Sequence, residues 1–293
     1  NCFLKPVMSE TITVFAPAKI NRFLHITGQR SDGYHNLQTV FELIDLADEI
    51  QLQPRNDGNI HLVKGAAGIQ VSDDLVYKAA KLLQQKSGTS LGCNISLHKV
   101  IPMGAGLGGG SSDAASVLWG LNEIWNTKLS RTSLMELGLQ LGADVPFFLL
   151  GTNAFAEGIG EILTPISLSA STYLLIYPGV HVPTVDIFKS PNLTRNHPKV
   201  TISDFTESAH PDQFGKNDCE DVVVQRYQEV AQAIDWIIQR HSGAQPRMTG
   251  SGSTVFARLD PEIAQELQKQ LPQKWIGFVV QGLKKHPSYN AVS

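Results

Sequence analysis

The stretch PMGAGLGGGSSDAA, from Pro102 to Ala115, holds five glycines in seven positions, then two serines and an aspartate. Glycine in bulk costs conformational entropy on folding, so such a loop serves a purpose that a side chain would obstruct. An alternating run, NISLHKVI (Asn94–Ile101), precedes it and reads as a strand. Apolar residues at helical spacing follow it: Ala114, Val117, Leu118, Leu121 and Ile124. A helix start leaves N–H groups unpaired, and the helix dipole adds partial positive charge there. Glycines let several of those groups converge on one anion, so the chemistry implied is a phosphate cradle. Ser111 or Ser112 could cap the helix, and a hydroxyl there could meet a phosphate or its magnesium. A tight connection with no ligand is the plainer alternative, because a glycine cluster alone is a weak signal.

Two phosphate-binding loops are excluded by what surrounds this one. No Gly-Lys-Ser/Thr follows, so it is not a Walker A loop. No H-R-D or D-F-G follows anywhere, so it is not the loop of a protein kinase. Gly104, Gly106 and Gly109 do form G-x-G-x-x-G between a strand and a helix, the local fingerprint of a nicotinamide oxidoreductase. That fingerprint expects a second parallel strand and an acidic residue about 20 residues on. Here Leu134, Leu137, Gly138 and Leu141 instead predict a second helix, stopped by Gly142.

The elements that must position the loop read as strands in the first half. TITVFA (Thr11–Ala16) and EIQLQ (Glu49–Gln53) alternate, with an Asp-Gly turn at Asp32–Gly33 between them. DLVYKAAKLLQQ (Asp74–Gln85) has helical spacing. AFAEG and GEILTPI flank a Gly-Ile-Gly turn and predict a hairpin. In the second half TYLLIYPG is a buried strand, and the polar residues from Ser190 to Asp221 read as loop and short helix. VVVQRYQEVAQAIDWIIQR reads as one long amphipathic helix. STVFARL and WIGFVVQGL read as strands around the helix PEIAQELQKQL. This mixed order predicts an α+β protein rather than a doubly wound sheet. A boundary near residues 160 to 170 divides it into 8–166 and 167–293.

The 293 residues suffice for one large domain or two ordinary ones. Lys and Arg number 24 against 27 Asp and Glu, a net charge of −3, which lends no support to a nucleic-acid partner. No apolar run approaches the roughly 18 residues that span a bilayer, so no membrane partner is implied. The stretch NCFLKPVMSE has neither a signal-peptide block nor an Arg-rich transit pattern, and Met8 offers a native start. Cys2, Cys93 and Cys219 are odd in number and far apart, which is neither a disulfide framework nor a metal spacing. A reducing, cytoplasmic setting is the simplest expectation.

Three motifs in order carry a resemblance. PMGAGLGGGSSDAA resembles the central motif of the GHMP kinases, a family that includes galactokinase, homoserine kinase, mevalonate kinase and phosphomevalonate kinase. PAKINRFLHITGQRSDGYHNLQTVF (Pro17–Phe41) resembles their N-terminal motif, and RMTGSGSTVFA (Arg247–Ala257) their C-terminal glycine motif. The GYH stretch and LGADVPFFLLGTNAFAEGIGEILTPI (Leu141–Ile166) resemble the branch acting on a cytidine diphosphate alcohol of the non-mevalonate isoprenoid route. The resemblance runs from about Val14 to Leu283. It implies a two-domain fold, ribosomal S5 domain 2-like then ferredoxin-like, with ATP and magnesium as cofactors. It implies phosphoryl transfer to the 2-hydroxyl of the methylerythritol part, by a monomer or weak homodimer. A mevalonate or homoserine acceptor is the near alternative, and a catalytically dead binding protein on the same scaffold a further one.

The resemblance also distributes roles. Asp144 would be the catalytic base and Lys19 the charge beside it, although Asp144 before Val145-Pro146 could simply cap a helix. ATP would lie against Lys99, Pro102, Met103, Gly104, Ala105, Gly106, Leu107, Gly108, Gly109, Gly110, Ser111 and Ser112. Ser111 and Ser112 are the expected magnesium contacts, and no glutamate matches the metal ligand of other members. Asn21, Tyr34, His35, Phe41, Thr184 and Phe188 would bind the alcohol, with Tyr34 and Phe188 stacked on the cytosine and His35 on its edge. Tyr34 and Phe188 as core aromatics and His35 as a turn residue are the plain alternatives. Gly250–Ser253 would lie near the substrate phosphates. Asp74 stands where some relatives have asparagine and is set aside, since an ionised carboxylate cannot donate.

Overall fold

Two long antiparallel strands, β1 (Ile12–Gln29) and β2 (His35–Arg55), form the spine of a computed structural model that describes residues 10–291. Met8 and Cys2 lie outside the described residues. One edge of β2 carries β1 throughout. Its other edge carries β4 (Gly92–His98) and then β5 (Ala154–Glu157). β3 (Ile60–Lys64) pairs parallel with β4, and β6 (Ile162–Pro165) closes the predicted hairpin with β5. The order is β3-β4-β2-β5-β6, with β1 on β2.

Alternation stops at Ala16 for a physical reason. From Ala16 to Ile26 every residue of β1 is buried, because protein covers both faces. Val14 and Ala16 enter one core cluster, Ala18 and Ile20 a second, Phe23 a third, and Leu24 and Ile26 a fourth. The strand that holds Lys19 and Asn21 is therefore fixed from every side.

Helices α1 (Leu75–Ser87), α2 (Gly109–Ile124), α3 (Arg131–Leu139) and α4 (Val145–Leu150) pack with this sheet. α2 is the central one, buried at every residue from Ser112 to Asn122. The strand after it is β5, which pairs with β2 and β6 and not with β4. The parallel partner that a dinucleotide fold requires is missing from the described residues.

The second sheet has the order β10-β7-β9-β8, from β7 (Thr172–Tyr177), β8 (Arg247–Met248), β9 (Val255–Arg258) and β10 (Ile276–Gln281). With α8 (Gln228–Arg240) between β7 and β8 and α9 (Pro261–Lys269) between β9 and β10, this is the split βαβ arrangement of a ferredoxin-like domain. One face packs Leu174 and Ile176 against Ala233, Ile237, Ala264 and Leu267. The other sets Tyr173 and Leu175 against Ala18, Ile20, Ala105 and Leu107, which brings the glycine loop under this sheet. Between β7 and α8 run the short helices α5 (Thr184–Phe188), α6 (Ile202–Thr206) and α7 (Glu220–Arg226).

The helix expected over Val222–Arg240 is two helices, broken at Tyr227, which adopts φ −124° and ψ 91°. Tyr227 packs on the core beneath, so tertiary contact overrides a sequence that contains no breaker. The last described residues return to the first sheet: Leu283 N–H donates to Leu43 O at 2.7 Å and His286 N–H to Gly151 O at 2.8 Å. Among the described residues no helix is long and apolar enough to cross a membrane.

Candidate active site

The glycine loop alternates two kinds of residue. Gly104, Gly106 and Gly108 have φ of 63°, 78° and 70°. Ala105 and Leu107 between them are 2% and 1% exposed and anchor the loop in the core. At Gly106 a Cβ would stand 2.3 Å from Thr249 O, so glycine is required both by backbone conformation and by contact. Gly108 occupies the N-cap of α2, and no side chain caps that helix. Gly109, Gly110 and Ser111 of the first turn line the cleft, with the dipole behind them.

The expected side-chain cap is thus absent. α2 begins at Gly109, which turns Ser112 inward. Ser112 is fully buried and its Oγ donates to Pro17 O at 2.6 Å. It does not line the cleft. Ser111 does line the cleft and is half-buried.

The cleft has a volume of about 1050 Å³ and lies between the glycine loop, the start of β2, α5 and the glycines at 250–252. It brings together Lys19, Asn21, Tyr34, His35, Phe41, Lys99, Pro102 to Ser111, Asp144, Thr184 and Phe188. Lys19 is 4% exposed, and its backbone N–H donates to Leu107 O at 3.0 Å, which locks β1 to the loop. Its Nζ donates to Asn21 Oδ1 at 2.6 Å and stands 3.7 Å from Asp144 Oδ2. Burial lowers the Lys19 pKa, and Asp144 only partly opposes the shift. An ammonium left under-compensated in this way is stabilised by an arriving phosphate.

Asp144 does stand at the N-cap of α4, but its side chain makes no capping hydrogen bond and is 33% exposed. The helix already has Pro146 in its first turn, where a missing N–H costs nothing. The carboxylate is therefore free of the structural duty that the sequence suggested for it. Both ends of the Asn21 amide are engaged, with Lys19 through Oδ1 and with Thr39 Oγ1 through Nδ2 at 2.9 Å. Its backbone N–H donates to Thr249 Oγ1 at 2.9 Å.

At the other end, Tyr34 is 61% exposed on the turn before β2, so it is no core aromatic. Phe188 closes α5 with its ring centroid 5.3 Å from that of His35. His35 opens β2 and is buried; burial, then Arg195, lowers its pKa. Thr184 Oγ1 and Ser251 Oγ share a hydrogen bond of 2.7 Å, tying α5 to the C-terminal glycine motif. Phe41 lies under Lys19, 5.2 Å from Nζ to ring centroid.

Lys99 lines the cleft between two buried carboxylates, Asp48 and Asp113, the latter at 2.7 Å. Burial works against its charge, but Asp113 and Asp48 outweigh it and raise its pKa. Burial pushes the Asp113 carboxyl up to about 8, against the pull of Lys99. Asp74, set aside above, is the N-cap of α1: Oδ1 accepts from Val76 N and Oδ2 from Ala66 N, each at 3.0 Å. Sequence reasoning missed Asp48, Asp113, Thr249 and Arg195. Thr249 directly precedes the C-terminal glycines and Asp113 lies within the glycine motif itself, so both were within reach; Asp48 and Arg195 carry no local signal.

Fold and site together define a GHMP kinase. Residues 74–152 match the family model "GHMP kinases N terminal domain" and residues 202–277 match "GHMP kinases C terminal". A 4-diphosphocytidyl-2-C-methyl-D-erythritol kinase of Polynucleobacter asymbioticus is 49% identical over 288 residues, 97% of either chain. One of Ralstonia nicotianae is 50% identical over 273 residues, 93% of this chain and 94% of that one. The chain belongs to the 4-diphosphocytidyl-2-C-methyl-D-erythritol kinase family. A crystal structure of 4-(cytidine 5'-diphospho)-2C-methyl-D-erythritol kinase superposes with a TM-score of 0.80 at 32% identity, covering 92% of this chain and 99% of that one. A homoserine kinase from Cytophaga hutchinsonii shares the fold, with a TM-score of 0.65 at 17% identity and 98% coverage of each chain.

Proposed function

We propose that this chain transfers the γ-phosphoryl group of ATP to the 2-hydroxyl of 4-diphosphocytidyl-2-C-methyl-D-erythritol. One observation carries the reading: the Lys19–Asp144 pair faces the same cleft as the glycine loop and the Tyr34–Phe188 aromatics. The reaction asks for alignment, charge neutralisation and a place for a proton.

The backbone N–H groups at the start of α2 hold the phosphates. Asp144 takes the proton of the acceptor hydroxyl while that oxygen bonds to the γ-phosphorus and the bond to the bridging oxygen of ADP breaks. Lys19 stands 3.7 Å from Asp144 and neutralises the charge on the transferred group. Asn21 aims Lys19 through its 2.6 Å hydrogen bond. Tyr34 and Phe188 stack the cytosine, His35 binds its edge, and Thr184 and Phe41 line the space between.

The described residues contain no cluster of three or more His, Cys, Asp or Glu able to cage a metal. Magnesium keeps its waters and takes few protein ligands beside phosphates. The Ser111 hydroxyl would hold it, and it would supply charge neutralisation at the phosphates. Strands that end at Pro165 and resume at Thr172 support the boundary between the domains 8–166 and 167–293, with the segment from Leu283 onward packed back on the first of them. The proposal includes a monomer or weak homodimer in the cytoplasm; the free, buried thiols of Cys93 and Cys219 fit a reducing compartment.

The product tests the reading. Incubation with ATP, magnesium and the diphosphocytidyl alcohol is expected to yield ADP and an alcohol heavier by one phosphate on its methylerythritol part, by mass spectrometry. Unchanged alcohol under conditions that phosphorylate mevalonate or homoserine would overturn it.

A further inference from the structure

Behind His35 sits the guanidinium of Arg195. Its Nε donates to His35 Nε2 at 3.1 Å. Its Nη1 donates to Leu193 O at 3.1 Å, and its Nη2 to Phe188 O at 2.9 Å and Ser190 O at 2.8 Å. Arginine has donors only and stays charged at any working pH. The His35 nitrogen that receives the Nε–H must therefore present a lone pair. His35 is then neutral, with its proton on Nδ1. The lowered pKa agrees, since burial and the adjacent guanidinium both disfavour a second proton.

The same guanidinium gathers the chain that carries Phe188. Carbonyls of residues 188, 190 and 193 converge on it, and Arg226 adds a tie from Nη2 to Ser190 Oγ at 2.8 Å. The ring of Phe188 is thereby held 5.3 Å from that of His35, at 45°.

We propose that Arg195 is a positioning residue for base recognition, locking His35 as the Nδ1–H tautomer and holding Phe188 beside it. The cleft then shows the base a fixed hydrogen-bond donor. This rests on reading that end of the cleft as a cytidine pocket. Cytosine accepts at both N3 and O2, whereas the N3 of uracil carries a hydrogen. A histidine free to exchange tautomers serves either base; a locked donor favours cytosine.

Nitrogen-15 NMR of the histidine-labelled full chain reads the tautomer with no variant. At pH 7, His35 is expected to show a protonated Nδ1 and an unprotonated Nε2; the reverse assignment overturns the proposal. Arg195→Met, its folding checked by thermal melting, is expected to free the tautomer. It should raise KM for the diphosphocytidyl alcohol about tenfold, the size of one lost charge-assisted hydrogen bond. Preference over the diphosphouridyl analogue should shrink, with kcat and KM for ATP unchanged. An intact cytidine preference in that variant also overturns the proposal. His35→Ala separates the two claims: an unchanged KM for the alcohol would defeat the cytidine pocket itself, whatever the tautomer.

Discussion

Lys19 and Asp144 meet across the cleft at 3.7 Å, one from a strand buried on both faces and the other from the N-cap of α4. The lysine loses hydration by burial, and the carboxylate caps nothing. A pair arranged at a cost to the fold, beside a phosphate-shaped loop, is expected to do chemistry.

Their removal should therefore act on kcat. Lys19→Met and Asp144→Asn are each expected to lower kcat by roughly 10²–10⁴, the range for a positioned base or an electrostatic stabiliser. KM for ATP should change little, since the loop amides do the binding. Steady-state kinetics decide it; a raised KM with normal kcat would assign the pair to nucleotide binding instead.

Gly106 and Gly110 should respond oppositely to alanine. Gly106→Ala places Cβ 2.3 Å from Thr249 O at φ 78°, so ATP affinity should fall by at least an order of magnitude, or the chain should melt several degrees earlier. Gly110 lies in α2, and its Cβ would meet only Leu75 Cδ1 at 3.5 Å. Gly110→Ala should raise stability by about 0.5–1 kcal/mol through helix propensity. Calorimetric titration with ATP and thermal melts of both variants check the contrast.

The neighbouring serines should also separate. Ser112→Ala removes the buried 2.6 Å hydrogen bond to the Pro17 carbonyl, at a cost of about 1 kcal/mol in urea unfolding. Its KM for ATP should be unchanged. Ser111→Ala should leave stability alone and raise the magnesium concentration needed for half-maximal rate. An exchange of these two phenotypes would reverse the assignment of the serines.

Acid should weaken the clasp of the C-terminal segment. Burial lowers the pKa of His286 from 6.5 to about 3. Between those values the unfolded chain binds a proton that the folded chain refuses, so stability falls as pH drops below 6.5. The slope from this group is up to about 1.4 kcal/mol per pH unit. Urea midpoints of the wild type and His286→Asn, compared at pH 7 and pH 5, should show the smaller loss in the variant. Equal losses would mean that His286 takes up its proton while folded.

Local chemistry was legible where it has a local cause. The glycine loop, the helical spacing of α1, the presence of α3 and the β5–β6 hairpin all follow from spacing and turn residues, although α3 ends at Leu139, short of the expected stop at Gly142. The length of β1 was not legible, because burial on both faces erases the alternation that marks a strand. The inward turn of Ser112 was not legible without the helix phase: a start at Gly109 rather than at the serines rotates it onto Pro17. Asp48, which grips Lys99 and accepts from the Ile101 N–H at 2.8 Å, announces itself only after β2 and β4 are paired. Arg195 sits in a polar stretch without pattern, and its role exists only through His35.

The central claim is that the acid–ammonium pair and the glycine loop serve one phosphoryl transfer to the diphosphocytidyl alcohol. Acceptor-dependent ADP release, followed in a coupled assay with that alcohol, mevalonate and homoserine in parallel, tests it most directly. The account predicts turnover with the diphosphocytidyl alcohol alone, lost in Asp144→Asn. Turnover with either other acceptor, or full activity in the Asp144→Asn protein, would contradict it.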